Sequence, residues 1–311
     1  MKKILCVCLS STLQRTIDFE NLSLENVNRA KGYVLDASGK AVNSARVLNQ
    51  LTSGCVKVVC PVGKIDAKQF TVLAKKDGLT IKTVKIPGRI RECWTLLDRV
   101  NRTTTELVVG EPGWPDFDYS KTEKKLLKII SKECKKCDAV LLAGSRPGYF
   151  NKDLCAQIAR NIALEGKVFM ADYWGADLIK TLEVCTPEII KINETEFIQT
   201  FENPSFLSED FSSEQWKTES LEKKISYVSE KLGNTVVVTR GKNSTLASKC
   251  GFMYECPVQK AEVINTTACG DSFSAGFIKE FLESDSVKKA LEKGTECAAK
   301  NAMRVRPGDI L

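Results

Sequence analysis

Short, nearly unbroken apolar runs alternate along the chain with longer segments in which apolar residues recur every three or four positions. The runs are ILCVCL (4–9), VKVVCPVG (56–63), DAVLLAG (138–144), KVFMADY (167–173), EIIKIN (188–193) and NTVVVTRG (234–241). Runs this short, apolar on both faces, predict buried strands of a parallel sheet. Between them, segments such as AVNSARVLNQL (41–51) and KDLCAQIARNIALEG (152–166) carry helical spacing. The alternation predicts an α/β fold, a mainly parallel sheet covered on both faces, with ligands at the carboxyl ends of its strands. Two stretches break the rhythm. Residues 12–36 and 88–110 are alternating and rich in Thr and Arg, as in RIRECWTLLDRV and RTTTELVV. They predict antiparallel strands with one exposed face, forming a small β-sheet lid from two separate chain segments. The 311 residues read as one domain, 1–311, carrying that lid. The polar stretch FENPSFLSEDFSSEQWKTES (201–220) predicts a surface excursion.

Composition narrows the function. The formal net charge of +7 suits an anionic small molecule and is too mild to argue for nucleic acid. The basic stretch KTEKKLLKIISKECKKC (121–137) reads as an amphipathic helix with a solvated face. The chain has no histidine, which excludes Ser-His-Asp and Cys-His nucleophile schemes and His-ligated zinc. A general base must then be a carboxylate, Lys, Tyr or Cys. Thirteen scattered cysteines read as free thiols in a reducing cytoplasm. Cys134 and Cys137 form one CxxC that lacks the second half of a zinc site. MKKILCVCLSST at the start reads as a first strand, and no run approaches the roughly 20 apolar residues of a membrane span.

The stretch NTTACGDSFSAGF (265–277) crowds small residues around Asp271, and Phe273, Phe277 and Phe281 then follow at helical spacing. A loop therefore enters a helix there. The unpaired amides of a helix N-terminus attract anions, and small side chains allow close approach. An aspartate would repel a phosphate at that place, but it makes sense as the base for a hydroxyl attacking one. The competing reading is an N-capping aspartate.

This stretch resembles the second signature of the PfkB-type, ribokinase-like sugar kinases, DTxGAGDxFxxG. The resemblance implies a three-layer sandwich with a small lid, Asp271 as catalytic base, and an anion hole formed by Ala268, Cys269 and Gly270. ASGKAVNSARVLNQL (37–51) resembles the first signature, with Gly39, Lys40 and Asn43 at ligand positions. KINETE (191–196) resembles the K-x-N-x-x-E segment. There Lys191 and Asn193 would face the nucleotide, and Asn193 and Glu196 would arrange magnesium; the same spacing suits a helix-capping pair. TRGKNSTLAS (239–248) resembles the nucleotide segment, placing Thr239 and Gly241 on ATP. LLAGSRPGYF (141–150) and ADYWGADL (171–178) resemble two further strand-end segments, and the order of all these motifs is that of the family.

CLSSTLQRTIDF (8–19), VNRA (27–30), GRIR (88–91) and TTTEL (103–107) are similar to the hexose-phosphate branch, 1-phosphofructokinase and tagatose-6-phosphate kinase. That branch implies ATP-dependent phosphorylation of a ketohexose phosphate and a homodimer joined through the lid. Arg29, Lys40 and Arg91 fall where a sugar phosphate would be held, with Arg89 and Arg146 as further candidates. Three positions depart from the pattern. Gln14 replaces an aspartate that holds sugar hydroxyls, Asn265 replaces the first aspartate of the signature, and Ala268 replaces a glycine, a strained choice if φ is positive there. Cys269 at a helix N-terminus is expected to have a lowered thiol pKa. A kinase of an unphosphorylated sugar or nucleoside, and a non-catalytic sugar-phosphate-binding protein of this fold, remain open alternatives.

Overall fold

The computed structural model describes residues 1–111, 113–202 and 213–311. Part of the 201–220 stretch therefore lies outside the described residues.

The chain opens with strand β1 (Ile4–Val7), in which Ile4 and Cys6 face one apolar core and Leu5 and Val7 the other. A strand buried on both faces needs helices on both sides, and the sequence supplies them. Around β1 assemble β4 (Val56–Gly63), β5 (Thr80–Ile86), β8 (Ala139–Ala143), β9 (Val168–Asp172), β10 (Ile189–Asn193) and β11 (Thr235–Arg240), all parallel to their neighbours. Two antiparallel strands, β12 (Asn243–Lys249) and β13 (Phe252–Cys256), close one edge, so the nine-stranded order is β13-β12-β11-β10-β9-β8-β1-β4-β5.

Helices α1 (Lys40–Leu51), α2 (Ala67–Lys76), α9 (Cys269–Ser284) and α10 (Val287–Ala302) pack on one face. The other face carries α3 (Ser120–Cys134), α4 (Leu154–Leu164), α5 (Ala176–Leu182), α6 (Glu194–Phe201) and α8 (Leu221–Leu232), with the short α7 (Ser213–Thr218) placing Trp216 in the same core. This is the expected three-layer arrangement. Among the described residues, no helix is long and apolar enough to cross a membrane.

A second sheet, in the order β3-β2-β6-β7, joins β2 (Thr12–Phe19), β3 (Tyr33–Ser38), β6 (Arg91–Asp98) and β7 (Thr103–Val109). Its outer pairs are antiparallel as expected, but the central pair, β2 with β6, is parallel. The reason is topological. Each half is a hairpin that leaves the same end of the large sheet, one after β1 and one after β5, so their first strands run together. One face presents exposed Tyr33, Trp94, Leu107 and Val109, with the Arg15 guanidinium near the rings of Tyr33 and Trp94.

Candidate active site

Helix α9 begins after Ala268, whose backbone is left-handed (φ 64°, ψ 11°). The position does take positive φ, so alanine is the strained choice here and bears the Cβ penalty that glycine avoids. Asp271 sits in the first turn and is 7% exposed. Its side chain makes no cap, so the capping alternative falls away. Instead its Oδ2 accepts a hydrogen bond from Asn43 Nδ2 at 2.9 Å, and its backbone carbonyl accepts from Ser44 Oγ at 2.9 Å. Both partners lie on α1. That helix starts after Gly39 (φ 118°), where a Cβ would stand 2.7 Å from Cys8 Sγ and from the Ser10 carbonyl. Only glycine lets the chain turn into α1 so close to the end of β1.

Lys40, the first residue of α1, points at Asp172 on the carboxyl end of β9. Its Nζ lies 3.2 Å from Asp172 Oδ1 and 3.5 Å from Glu196 Oε1. Lys191 Nζ lies 3.2 Å from Asp172 Oδ2, and Ser274 Oγ donates to the same oxygen at 2.7 Å. Gly270 keeps the approach open, since a Cβ there would lie 3.1 Å from Lys191 Nζ. Asp172 is fully buried and is the hub of the cluster, joining α1, β10 and α9. In ADYWGADL the signal for it is a carboxylate at the carboxyl end of an otherwise apolar strand.

The electrostatics divide the two aspartates. Burial pushes the Asp172 carboxyl up, but Lys191 and Lys40 more than reverse this and hold it at about 2. Burial raises Asp271 to about 6, and the neighbouring Asp172 charge adds to the rise, against the pull of Lys40, Asn43 and Lys191. The Lys40 ammonium is held charged, chiefly by Asp172. Two carboxylates with opposite shifts suit separate tasks, one a permanent counter-ion and one able to exchange a proton near neutrality.

Two cavities open around the cluster. The first, about 420 Å³, is lined by Ser10, Lys40, Arg91, Arg146, Trp174 and Glu196 among others. The second, about 530 Å³, has Thr239, Gly241, Lys242, Cys269 and Gly270 on its wall with the more apolar Val263 and Ala299. Asp271 follows Gly270 of the second cavity's wall directly and is held by Asn43 and Ser44 of α1, the helix whose first residue, Lys40, lines the first cavity.

The remaining sequence candidates separate. Arg91 Nη1 lies 3.5 Å from Ser10 Oγ and 3.7 Å from Glu111 Oε1, while its buried Nε has no partner. Arg146 is held by Asp177 at 3.0 Å and donates to the Phe150 carbonyl at 2.8 Å. Arg89 is turned to Asp66 at 3.2 Å, and Arg29 is exposed between β2 and β3; neither lines the two cavities. Gln14 is buried and donates from Nε2 to Thr95 Oγ1 at 2.7 Å. From Thr95 the polar chain continues to Thr267, whose hydroxyl donates to Glu106 of β7 at 2.8 Å. The small sheet thus touches the turn before α9.

Asn193 and Glu196 cap each other across the start of α6, each side chain accepting from the other's backbone N–H at 2.9 Å. Glu196 keeps its second oxygen toward Lys40. Asn265 is buried, donates to the Val305 carbonyl at 2.8 Å and accepts from Thr267 N–H at 2.9 Å. One expectation is overturned. The Cys269 thiol is not lowered by its helix terminus; burial raises it to about 11, although the Asn301 amide donates to its sulfur at 3.3 Å. Desolvation of the thiolate is the leading cause, and the neighbouring Asp271 charge adds to it.

Residues 3–309 match the pfkB family carbohydrate kinase profile. Solved structures share the fold at low identity, among them the following three. Escherichia coli phosphofructokinase-2 in complex with substrates and products is 15% identical, with 97% of this chain and 94% of that chain covered and a TM-score of 0.80. The tetrameric inhibited form of the same enzyme is 15% identical over 97% and 95%, with a TM-score of 0.79. A Thermotoga maritima protein described as a possible 1-phosphofructokinase is 20% identical over 98% and 93%, with a TM-score of 0.80.

Proposed function

Because the chain belongs to the pfkB family of carbohydrate kinases, ATP-dependent sugar kinases, we propose that it phosphorylates a ketohexose phosphate, fructose 1-phosphate or tagatose 6-phosphate, with Asp271 as general base. The observation that carries this reading is the setting of Asp271, a buried carboxylate raised to about 6, in the first turn of α9 and oriented by Asn43. At neutral pH it is largely ionised yet basic enough to take the proton of an attacking hydroxyl.

The turn Ala268–Gly270 supplies backbone N–H groups and the positive end of α9 for the transferring phosphoryl group. Lys40 and Lys191, both held toward the cluster by Asp172, offset the charge of the phosphates. Thr239 and Gly241 suit the nucleotide, because they line the second cavity. The first cavity takes the sugar, and Arg91, with a buried unpaired Nε, together with Arg146 gives the phosphate already on that sugar its cations. The small sheet acts as the lid over that cavity, reaching the turn before α9 through Thr267 and Glu106.

Magnesium fits this site in a restricted way. Among the described residues no group of three His, Cys, Asp or Glu could hold a metal, and Asn193 and Glu196 are engaged as caps. That donor set suits an ion that keeps its waters and binds chiefly through nucleotide phosphates, with Glu196 in reach through water. Such an ion supplies charge neutralisation on the phosphates. The exposed apolar face of the lid supports pairing with the same face of a second copy, which sedimentation would test. Thirteen free cysteines support a reducing, cytoplasmic setting.

The test is ADP release with magnesium-ATP against fructose 1-phosphate, tagatose 6-phosphate and fructose 6-phosphate, beside free fructose, tagatose, ribose and adenosine. Turnover confined to one phosphorylated ketose is expected. Turnover only on unphosphorylated compounds would overturn the assignment of the arginines. Silence with ATP binding intact would favour a binding protein.

A further inference from the structure

Arg91 and Ser10 line the first cavity, and both are approached by a carboxylate that does not line it. Glu111, just beyond the end of β7, accepts a hydrogen bond from the Ser10 hydroxyl. That hydroxyl also lies 3.5 Å from Arg91 Nη1, and Glu111 Oε1 is 3.7 Å from the same nitrogen. The carboxylate is therefore close to the guanidinium without the short, two-point geometry of a committed Arg–carboxylate pair. Compare Arg46 in the core, 2.8 Å from Asp77 and also bonded to backbone carbonyls. Arg91 keeps its Nε buried and unpaired, so its donors are underused. Both side chains are mostly covered, at 29% and 22% exposure, which strengthens any charge interaction between them.

We propose that Glu111 is a charge gate on the sugar side of the cleft, a carboxylate that competes with the substrate's phosphate for Arg91 and so sets how tightly a phosphorylated sugar binds. This rests on the substrate reading given above. A phosphate group arriving at Arg91 meets a second anion already there. It must either displace Glu111 from the guanidinium or bind beside it once Glu111 has taken a proton. An unphosphorylated sugar brings no charge with which to displace it.

The gate is sensitive to pH. Burial holds the Glu111 carboxyl above its ordinary value, against the pull of Ser10 and Arg91. The other titratable groups facing it are the Cys8 thiol, pushed up to about 12 by burial, and the Tyr149 phenol, also pushed up by burial. Both stay neutral while Glu111 titrates. Raising the pH through the acid-to-neutral range therefore ionises Glu111 alone among these groups and weakens phosphate binding.

The experiment compares wild type, Glu111→Gln and Ser10→Ala. It measures KM for the phosphorylated ketose against pH, and the calorimetric affinity for inorganic phosphate. Glu111→Gln keeps the bond to Ser10 and removes the charge. It is expected to lower KM and tighten phosphate binding by about two- to fivefold, the scale of a loose, partly exposed ion pair. It should also flatten the rise of KM with pH; titration of the substrate's own phosphate is common to both proteins and drops out of the comparison. Ser10→Ala leaves the carboxylate to Arg91 and is expected to raise KM. A higher KM in Glu111→Gln would overturn the gate, since Glu111 would then only position Arg91. An unchanged pH slope would overturn it as well. If only unphosphorylated sugars are turned over, the substrate reading fails, while phosphate affinity in wild type and Glu111→Gln still decides the role of Glu111.

Discussion

Replacing Asp271 by asparagine preserves the shape of the side chain and removes its charge, with opposite consequences for turnover and for stability. Asn43 Nδ2 donates to Asp271 Oδ2, and an amide oxygen can accept the same bond. The carboxyl is raised from 3.8 to about 6, first by burial and then by Asp172. The folded protein thus holds this charge at a cost, of order 3 kcal/mol at about 1.36 kcal/mol per pKa unit. The sign follows from the raised value. The cost is absent below the unfolded pKa near 3.8, grows as the pH rises, and is fully present above about 6. Asp271→Asn removes it, so at alkaline pH the variant should melt up to about 4 °C higher than wild type. That gap should close toward pH 4. Turnover moves the other way. Loss of a general base lowers kcat by about 10²–10⁴, and wild-type kcat should fall as the pH drops through about 6. Steady-state ADP formation and thermal melts at two pH values read both effects. Wild-type kcat in the variant would refute the role of base. A variant less stable than wild type at alkaline pH would refute the reasoning about a strained charge.

Three further outcomes are expected. Ala268→Gly relieves a left-handed alanine (φ 64°) and should raise stability by up to about 1 kcal/mol in urea titration, with no gain if the turn relaxes another way. Cys269, raised to about 11 by burial, should react with iodoacetamide at neutral pH far more slowly than exposed Cys250, and mass spectrometry of the alkylated peptides would reveal the opposite order. Asn265→Asp removes the donor to the Val305 carbonyl and sets two acceptors against each other in a fully buried place. It should cost about 1–3 kcal/mol in denaturant, and a neutral result would mean that another group supplies the missing proton.

The six strands read from apolar runs are all present, because each is buried on both faces and its periodicity has nothing else to report. The edges were harder. β5, β12 and β13 carry partly exposed, mixed sequences such as TIKTVKI and FMYEC, which hold no continuous apolar signal. The direction of β6 relative to β2 was not legible either, since side-chain alternation is the same in parallel and antiparallel pairs. Within the site, the small residues around Asp271 and the glycine before α1 were legible because backbone geometry restricts them. Asp172 was not, because its meaning lies in Lys40, Lys191 and Ser274, which come from three other elements. Asn193 and Glu196 show the limit of spacing as a signal: a three-residue interval serves a helix cap as well as a ligand pair, and here the cap is made.

The charge cluster stands on β9 and β10, in the interior of the nine-stranded sheet, whereas β7 of the smaller sheet is exposed along nearly its whole length. These two parts of the cleft therefore open at different free energies. Amide hydrogens of β7 are expected to exchange with solvent through local fluctuations, and those behind Asp172 and Lys191 only when the whole fold opens. On the proposed reading, mild denaturation should remove the cover before the ionic centre, so sugar affinity should decline ahead of nucleotide affinity.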